Sequence, residues 1–187
     1  MGTTDTIERE IKLRFDSVER ARAAIEATGA TPLLGRRLQE DALLDDEDET
    51  LRRRGCALRI RSENGKSRIT FKGPIQASDM KVRDELETVV GDGALLLRIF
   101  EELGYHVWFR YEKYREEYAQ AEVIVAIDET PVGVFVEIEG SESGITTMAA
   151  ALGCGPDDYL VDSYRSLFLQ LRAARGLAGT DMIFAPE

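Results

Sequence analysis

Alternation of charged and apolar residues is the feature that most restricts how this 187-residue chain can fold. In the segment TIEREIKLRF, residues 6–15, Glu8, Glu10 and Lys12 fall on one face and apolar residues fall on the other. A period of two is typical of a β-strand, because successive side chains of a strand point to opposite faces. The segment therefore predicts a strand whose charged face carries two acids followed by basic residues.

Similar strand-like segments recur along the chain, and short turns separate several of them. The pair Asn64-Gly65, between the third and fourth segments, is a typical hairpin turn. After residues 6–15, the predicted strands are 33–46, 56–62, 67–73, 81–90, 106–119, 122–130 and 132–140. Helical spacing predicts helices within 16–30, 92–104, 142–153 and 159–175. We expect one α+β domain spanning residues 1–187: a closed eight-stranded antiparallel β-barrel with helices outside and a loose tail over 177–187.

Composition excludes several functional classes. A net charge of -11 argues against a general nucleic-acid binder, and the sequence contains no apolar run long enough to span a membrane. One His and two distant cysteines, Cys56 and Cys154, do not suit a zinc or iron–sulfur site. A bound metal would therefore be held by carboxylates, which favours Mg²⁺ or Mn²⁺. We expect neither nucleic acid nor a membrane as a partner, and a cytoplasmic location.

The charges on these strand faces are grouped by sign. A sheet face that is merely exposed to solvent does not require such grouping. Residues two apart on a strand lie only ~6.5–7 Å from each other, so like charges at that spacing repel. Such pairs persist more readily beside a counter-charge, a divalent cation for acids and a phosphate chain for bases. The acidic pairs are Glu8/Glu10 and Glu137/Glu139, and the basic pairs are Arg59/Arg61 and Lys113/Arg115.

The pattern Glu-x-Glu-x-Lys formed by Glu8, Glu10 and Lys12 resembles the N-terminal signature of the CYTH family, the triphosphate tunnel metalloenzymes. The segments CALRIR, ITFKGP, VRDELE, YEKYREEY and VFVEIEG resemble later motifs of that family in the same order, and DSYRSLF resembles its C-terminal helix. The resemblance implies an eight-stranded tunnel that binds a triphosphate, such as tripolyphosphate or ATP, with Mg²⁺ or Mn²⁺. Family activities include inorganic triphosphatase, thiamine triphosphatase and class IV adenylate cyclase.

The motifs and their charge pattern together assign expected roles. Lys12 is expected either to act as a base with a depressed pKa or to bind phosphate. Glu85 and Glu87 face inward by parity, as ligands or as partners of the bases, and Tyr164 is a candidate contact from the C-terminal helix. The expected triphosphate-binding residues are Arg59, Arg61, Lys72, Arg83, Lys113 and Arg115, and the expected metal ligands are Glu8, Glu10, Asp128, Glu137 and Glu139.

Three functions remain open from the sequence. A hydrolase that attacks the terminal phosphate needs the fewest parts, whereas a cyclase needs a nucleoside pocket that the sequence does not reveal. A pure polyphosphate-binding module would have no use for acids in the cavity. Many CYTH proteins carry YFDT-like residues where this chain has LLDD, and its sole Trp, Trp108, lies on a later strand. That departure argues against the thiamine-specific form. The basic run 52–54 is either a surface turn or part of the tunnel mouth, and a homodimer is left open.

Overall fold

Eight antiparallel strands close into a barrel in the order β1-β5-β4-β3-β2-β6-β7-β8, in a computed structural model that describes residues 6–176 and 179–185. This architecture confirms the expected closed eight-stranded antiparallel barrel. The strands are β1 Ile7–Phe15, β2 Thr31–Asp46, β3 Ala57–Glu63, β4 Lys66–Lys72, β5 Lys81–Val90, β6 Tyr105–Gln120, β7 Val123–Thr130 and β8 Gly133–Gly140.

Three helices connect strands and two follow the last strand, and none among the described residues is long and apolar enough to cross a membrane. Side chains of Ser17, Asp92, Ser141 and Ser163 cap four of them by accepting a backbone N–H of the first turn, which satisfies a group that the helix itself cannot pair. The helices are α1 Val18–Ala27, α2 Thr50–Arg53, α3 Gly93–Glu102, α4 Glu142–Ala151 and α5 Tyr164–Arg175, with a 3₁₀ turn at Pro156–Asp158.

Asn64 and Gly65 form the tight turn between β3 and β4. Both have positive φ, 49° and 73°, which a two-residue type I′ turn requires and which Asn and Gly tolerate best. This turn fixes the register in which Arg59 pairs with Thr70 and Ala57 with Lys72.

The barrel is inverted, with apolar side chains outside under helices and charged side chains inside. Ile11, Leu13 and Ile138 are almost completely buried, in a core that also contains Ile25 of α1 and Ile145 of α4. Because strand side chains alternate, burying this apolar face outward turns the alternate, charged residues toward the barrel axis. The helices therefore supply the core that the interior of an ordinary small barrel would provide.

The last described residues dock against β6, so the expected loose tail is wrong for 179–185. Met182 is completely buried, and its backbone exchanges hydrogen bonds with Arg110 and Glu112. The side chain of Asp181 also accepts a hydrogen bond from the Arg110 backbone. Residues 177, 178, 186 and 187 of the expected tail lie outside the described residues.

Candidate active site

A cavity of ≈ 710 Å³ runs through the barrel. Seven of the eight strands contribute lining residues, as do α2 and the start of α5. All residues expected from the sequence to form the site line this cavity except Asp128. The period of two thus brings side chains from distant parts of the chain into one charged lumen.

The pairing of β1 with β8 places the two acidic pairs side by side. Glu10 lies opposite Glu139, and Lys12 lies opposite Glu137. Directly opposed residues of antiparallel strands have Cβ atoms ~4.5–5.5 Å apart, so Glu10 and Glu139 share one patch of the wall.

Within this acidic patch the carboxylates differ in their partners. Lys72 binds Glu8 at 2.6 Å, and Lys81 binds Glu10. Glu139 has no ion pair or hydrogen bond to another side chain in the described part of the chain. Glu139 is exposed to the open cavity, but partial desolvation inside the barrel and the negative charges of Glu8 and Glu10 raise its pKa to about 7. Arg83 Nε also lies 3.2 Å from Glu8 Oε2, so Glu139 is the acid of this patch that has no cationic partner among the described residues.

The donor chemistry of this patch suits Mg²⁺ or Mn²⁺, which prefer carboxylate oxygens. In the described residues no three acidic, His or Cys side chains already converge as ligands, and Glu8 and Glu10 are bonded to Lys72, Arg83 and Lys81. The unpaired carboxylate of Glu139, beside Glu8 and Glu10, fits a cation at this position. Glu8, Glu10 and Glu139 are therefore the side chains suited to hold a metal.

Asp128 lies in a separate, fully buried ion-pair cluster. Lys113 Nζ lies 2.7 Å from its Oδ2, Arg115 donates to both of its oxygens at 2.7 and 2.6 Å, and the Tyr164 hydroxyl donates to Oδ2 at 2.6 Å. Asp128 does not line the cavity, unlike the acids of the metal patch. Here Asp128 is a charge partner that orients Lys113 and Arg115, and its expected role as a metal ligand stays a prediction.

The two lysines near Glu137 differ in their pKa. Burial favours a lower pKa for Lys12, but Glu137, 3.1 Å from its Nζ, and Glu10 outweigh burial and raise it. The expected depressed pKa of Lys12 is therefore wrong, and this lysine stays protonated. Burial and the positive charge of Arg115 instead lower the pKa of Lys113 to about 8.

Arg59 and Arg61 project from β3 into the cavity and share one buried partner. Arg61 binds both oxygens of Asp41, and Arg59 Nε lies 3.5 Å from Asp41 Oδ1. Arg59 also donates to Thr70 Oγ1 at 3.1 Å, and Thr70 in turn donates to Glu87 at 2.8 Å. These contacts hold both guanidinium groups against the wall, where they can meet phosphate oxygens.

The segment LLDD lacks the aromatic residue that many CYTH proteins carry at this position. Aromatic side chains from another strand nevertheless line the cavity. Leu43 pairs with Phe109 while Leu44 pairs with Val107, so Trp108 is the extra residue of a β-bulge. A bulge reorients side chains relative to the strict alternation of a strand. Trp108, Phe109 and Tyr111 all line the cavity as a result.

Comparison with known families agrees with this geometry. The model of the CYTH domain matches residues 6–152, which is more than half of the chain. The chain belongs to the CYTH family.

Relatives of this CYTH protein share most of its length. A protein of Methanocaldococcus jannaschii named "putative adenylate cyclase" is 32% identical over 140 residues, 74% of this chain and 79% of that protein. A Vibrio parahaemolyticus structure described as a "putative adenylate cyclase" has a TM-score of 0.78, with 18% identity, 89% coverage of this chain and 99% of its own. A Hippeastrum structure, a "putative adenylyl cyclase" described as having dominant triphosphatase activity, has a TM-score of 0.63 with 20% identity and coverages of 88% and 95%. The two structures show the shared fold.

Several polar residues that line this CYTH barrel or lie next to its lining were not identified from the sequence, and four of them show why. Lys81 has the parity of Arg83 and could have been found by extending the β5 alternation by one step. Gln39, Asp41 and Arg37 were hidden because polar residues follow one another in β2, so the inward face is not evident from the pattern. Arg37 binds the carboxylates of residues 63 and 117, at 3.0 and 2.7 Å.

Proposed function

We propose that this CYTH protein is a divalent-metal-dependent triphosphatase, which hydrolyses the terminal phosphate of tripolyphosphate or of a related organic triphosphate. The observation that carries the proposal is one lumen containing both a basic wall and an acidic patch in which Glu139 has no cationic partner among the described residues. A basic wall alone would bind a polyanion, and an unpaired carboxylate beside it suits a cation that accompanies that anion.

Phosphate binding is assigned to the basic wall. Arginine forks can hold phosphate oxygens through two parallel hydrogen bonds, whereas lysines act as point charges. Lys12 joins this set as a phosphate ligand, because its raised pKa keeps it charged and unsuited to accept a proton. The proposed phosphate ligands are Lys12, Arg59, Arg61, Lys72, Arg83, Lys113 and Arg115.

Metal binding is assigned to Glu8, Glu10 and Glu139. A bound Mg²⁺ or Mn²⁺ supplies charge neutralisation of phosphate oxygens. Lys72 and Arg83, the present partners of Glu8, and Lys81, the partner of Glu10, would become available to phosphate if a cation bound these carboxylates. The chain's own contribution is positioning and charge stabilisation, the main requirements of phosphoryl transfer.

Adenylate cyclase is the second candidate, and two observations favour it. The Methanocaldococcus jannaschii relative carries that name, and the cavity is as large as pockets that hold drug-sized molecules. Cyclisation would use the same phosphate and metal ligands, with the ribose 3′-hydroxyl attacking the α-phosphate. We favour the hydrolase because the described contacts include an evident phosphate wall but no set of hydrogen-bonding groups arranged for a ribose.

The deciding experiment identifies products after incubation with tripolyphosphate or ATP and either Mg²⁺ or Mn²⁺. Orthophosphate and pyrophosphate from tripolyphosphate support the hydrolase. Cyclic AMP and pyrophosphate from ATP, with tripolyphosphate acting only as an inhibitor, overturn it in favour of the cyclase. Tight binding without product under either metal leaves a binding module.

A further inference from the structure

Trp108 marks a distinct end of the cavity, where β6, α2 and α5 meet. The bulge beside Leu43 turns the indole of Trp108 to the cavity wall. Strict alternation along β6, in which Phe109 and Tyr111 face inward, would have turned it outward. Arg52 of α2 and Arg165 of α5 line the same end of the cavity. We call these three residues the mouth cluster.

Two arginines of the mouth cluster share one aromatic ring. The guanidinium carbons of Arg52 and Arg165 lie 4.3 and 4.8 Å from the centroid of the Trp108 ring. Cation–π contacts of this kind hold guanidinium groups in place without neutralising their charge. The ring thus keeps two like charges close together at one end of the tunnel.

The two arginines are not equally compensated. Arg52 lies 3.1 Å from Asp45 and 3.2 Å from Glu49. Arg165 has no ion pair and no side-chain hydrogen bond in the described part of the chain, so its donors remain available. Burial and the nearby charge of Arg52 lower the pKa of Arg165 and outweigh the opposite effect of the Glu49 carboxylate, so Arg52 is the stronger electrostatic neighbour of Arg165.

We infer that the mouth cluster binds a further anionic phosphate group of the substrate, beyond the three held by the basic wall, with Arg165 as its principal ligand. The inference rests on the proposed function, because it extends the substrate along the same cavity. The inferred substrates are therefore linear polyphosphates longer than tripolyphosphate. A free guanidinium beside a second one is matched by an anion, whereas a neutral base would leave both charges uncompensated.

Trp108 provides a direct readout of this subsite, because it is the only tryptophan in the chain. The test titrates the full chain with tripolyphosphate and with tetrapolyphosphate in EDTA, and follows both Trp fluorescence and calorimetric binding. We expect tetrapolyphosphate to change Trp108 fluorescence more than tripolyphosphate does and to bind more tightly. We expect Arg165→Gln to weaken tetrapolyphosphate about fivefold more than tripolyphosphate.

Three further measurements separate the explanations. Arg165→Lys, which keeps the charge, should restore part of the selectivity, and Arg53→Gln on the exposed side of α2 is the matched control that should not alter it. ATP serves as a probe with three phosphates and an aromatic base. Thermal melts check that each variant is folded.

The outcomes bear differently on the two proposals. Equal binding of tripolyphosphate and tetrapolyphosphate, or unchanged selectivity in Arg165→Gln, overturns the inference alone. A selective loss of ATP binding in Arg165→Gln also overturns it, in favour of a base-stacking site. If neither polyphosphate binds, either in EDTA or with Mg²⁺ supplied, the proposed function fails and the inference fails with it. Selectivity for the longer chain that depends on the charge of residue 165 supports it.

Discussion

Arg61 and Asp41 form a two-point ion pair inside the barrel, with Nε 2.8 Å from Oδ1 and Nη2 3.1 Å from Oδ2. Burial favours a raised pKa for Asp41, but the charges of Arg61 and Arg59 outweigh it and lower that pKa. The carboxylate therefore stays ionised and holds both guanidinium groups. Removing one member of such a buried pair leaves the other charge uncompensated.

Asp41→Asn should accordingly reduce the free energy of unfolding by about 3 kcal/mol, measured by urea denaturation. Glu40→Gln, at an exposed position next to it on the same strand, is the matched control and should change stability by less than about 0.5 kcal/mol. Similar effects of the two substitutions would show that the Arg61 pair does not lie in a closed lumen.

Glu139→Gln should separate metal binding from stability. The raised pKa of Glu139 means that its ionisation costs stability as pH rises from the ordinary carboxyl value to about 7, so Gln should not reduce stability at pH 8. Affinity for Mg²⁺ or Mn²⁺ should nevertheless fall by at least about tenfold in a calorimetric titration, since a ligand is lost. Unchanged metal affinity would remove Glu139 from the site.

Glu137→Gln is the comparison on the same strand, and it should behave differently. Glu137 pairs with Lys12 at 3.1 Å and also with Arg115, so its loss leaves two buried cations less compensated. We expect the free energy of unfolding to fall by about 1–3 kcal/mol at pH 8. A variant as stable as wild type would contradict the ion-pair role described for Glu137.

Arg59→Ala should mainly affect ligand binding and Ile60→Ala mainly stability, because these neighbours face opposite sides of β3. Arg59→Ala should weaken tripolyphosphate binding by about 1.5–3 kcal/mol for each lost charge-assisted bond. Ile60 is only 3% exposed and packs under α3, so Ile60→Ala should cost about 2–5 kcal/mol of stability with less effect on binding. Equal, mild effects from both would favour an open sheet over a tunnel.

Met182→Ala tests whether the C-terminal segment contributes to the fold. Met182 is completely buried in a cluster with Phe109, Tyr111 and Phe168, so we expect a loss of about 2–5 kcal/mol of unfolding free energy. Ile183→Ala is the control, because its side chain is half exposed and should contribute little. Equal stability of the two variants would contradict the docking of this segment on β6.

Glu116→Gln should make stability less dependent on acid pH. The hydrogen bond from Arg22 lowers the pKa of Glu116 below its ordinary value of 4.5 and links α1 to β6. Its stabilisation is therefore full above that ordinary value and is lost as pH falls through the lower folded pKa. Because Arg22 is partly exposed, we expect wild type to exceed Glu116→Gln by about 1 kcal/mol at pH 7. The melting temperatures of the two proteins should converge as the pH falls well below 4.5. A difference that stays constant across this range would show that the Glu116 carboxylate does not cause the pH dependence.

The inward-facing residues of β1, β3 and β8 follow from the sequence because strand alternation is a local property. Because Ile11 and Ile138 face the outer apolar core, the period of two turns their charged neighbours in sequence toward the barrel axis. Eight such segments with a hairpin signal at Asn64-Gly65 indicate a barrel, and the order of the motifs indicates the CYTH family. The charged lumen was therefore predictable without coordinates.

Only the tertiary structure decided how those charges are partnered and where alternation fails. Asp128 pairs with Lys113 and Arg115 because β6 and β7 are adjacent, and the raised pKa of Lys12 depends on acids of other strands. The bulge that turns Trp108 to the cavity and the docking of Met182 on β6 both arise from register and packing between segments far apart in the chain. Such relations depend on distances across the barrel, which no local pattern contains.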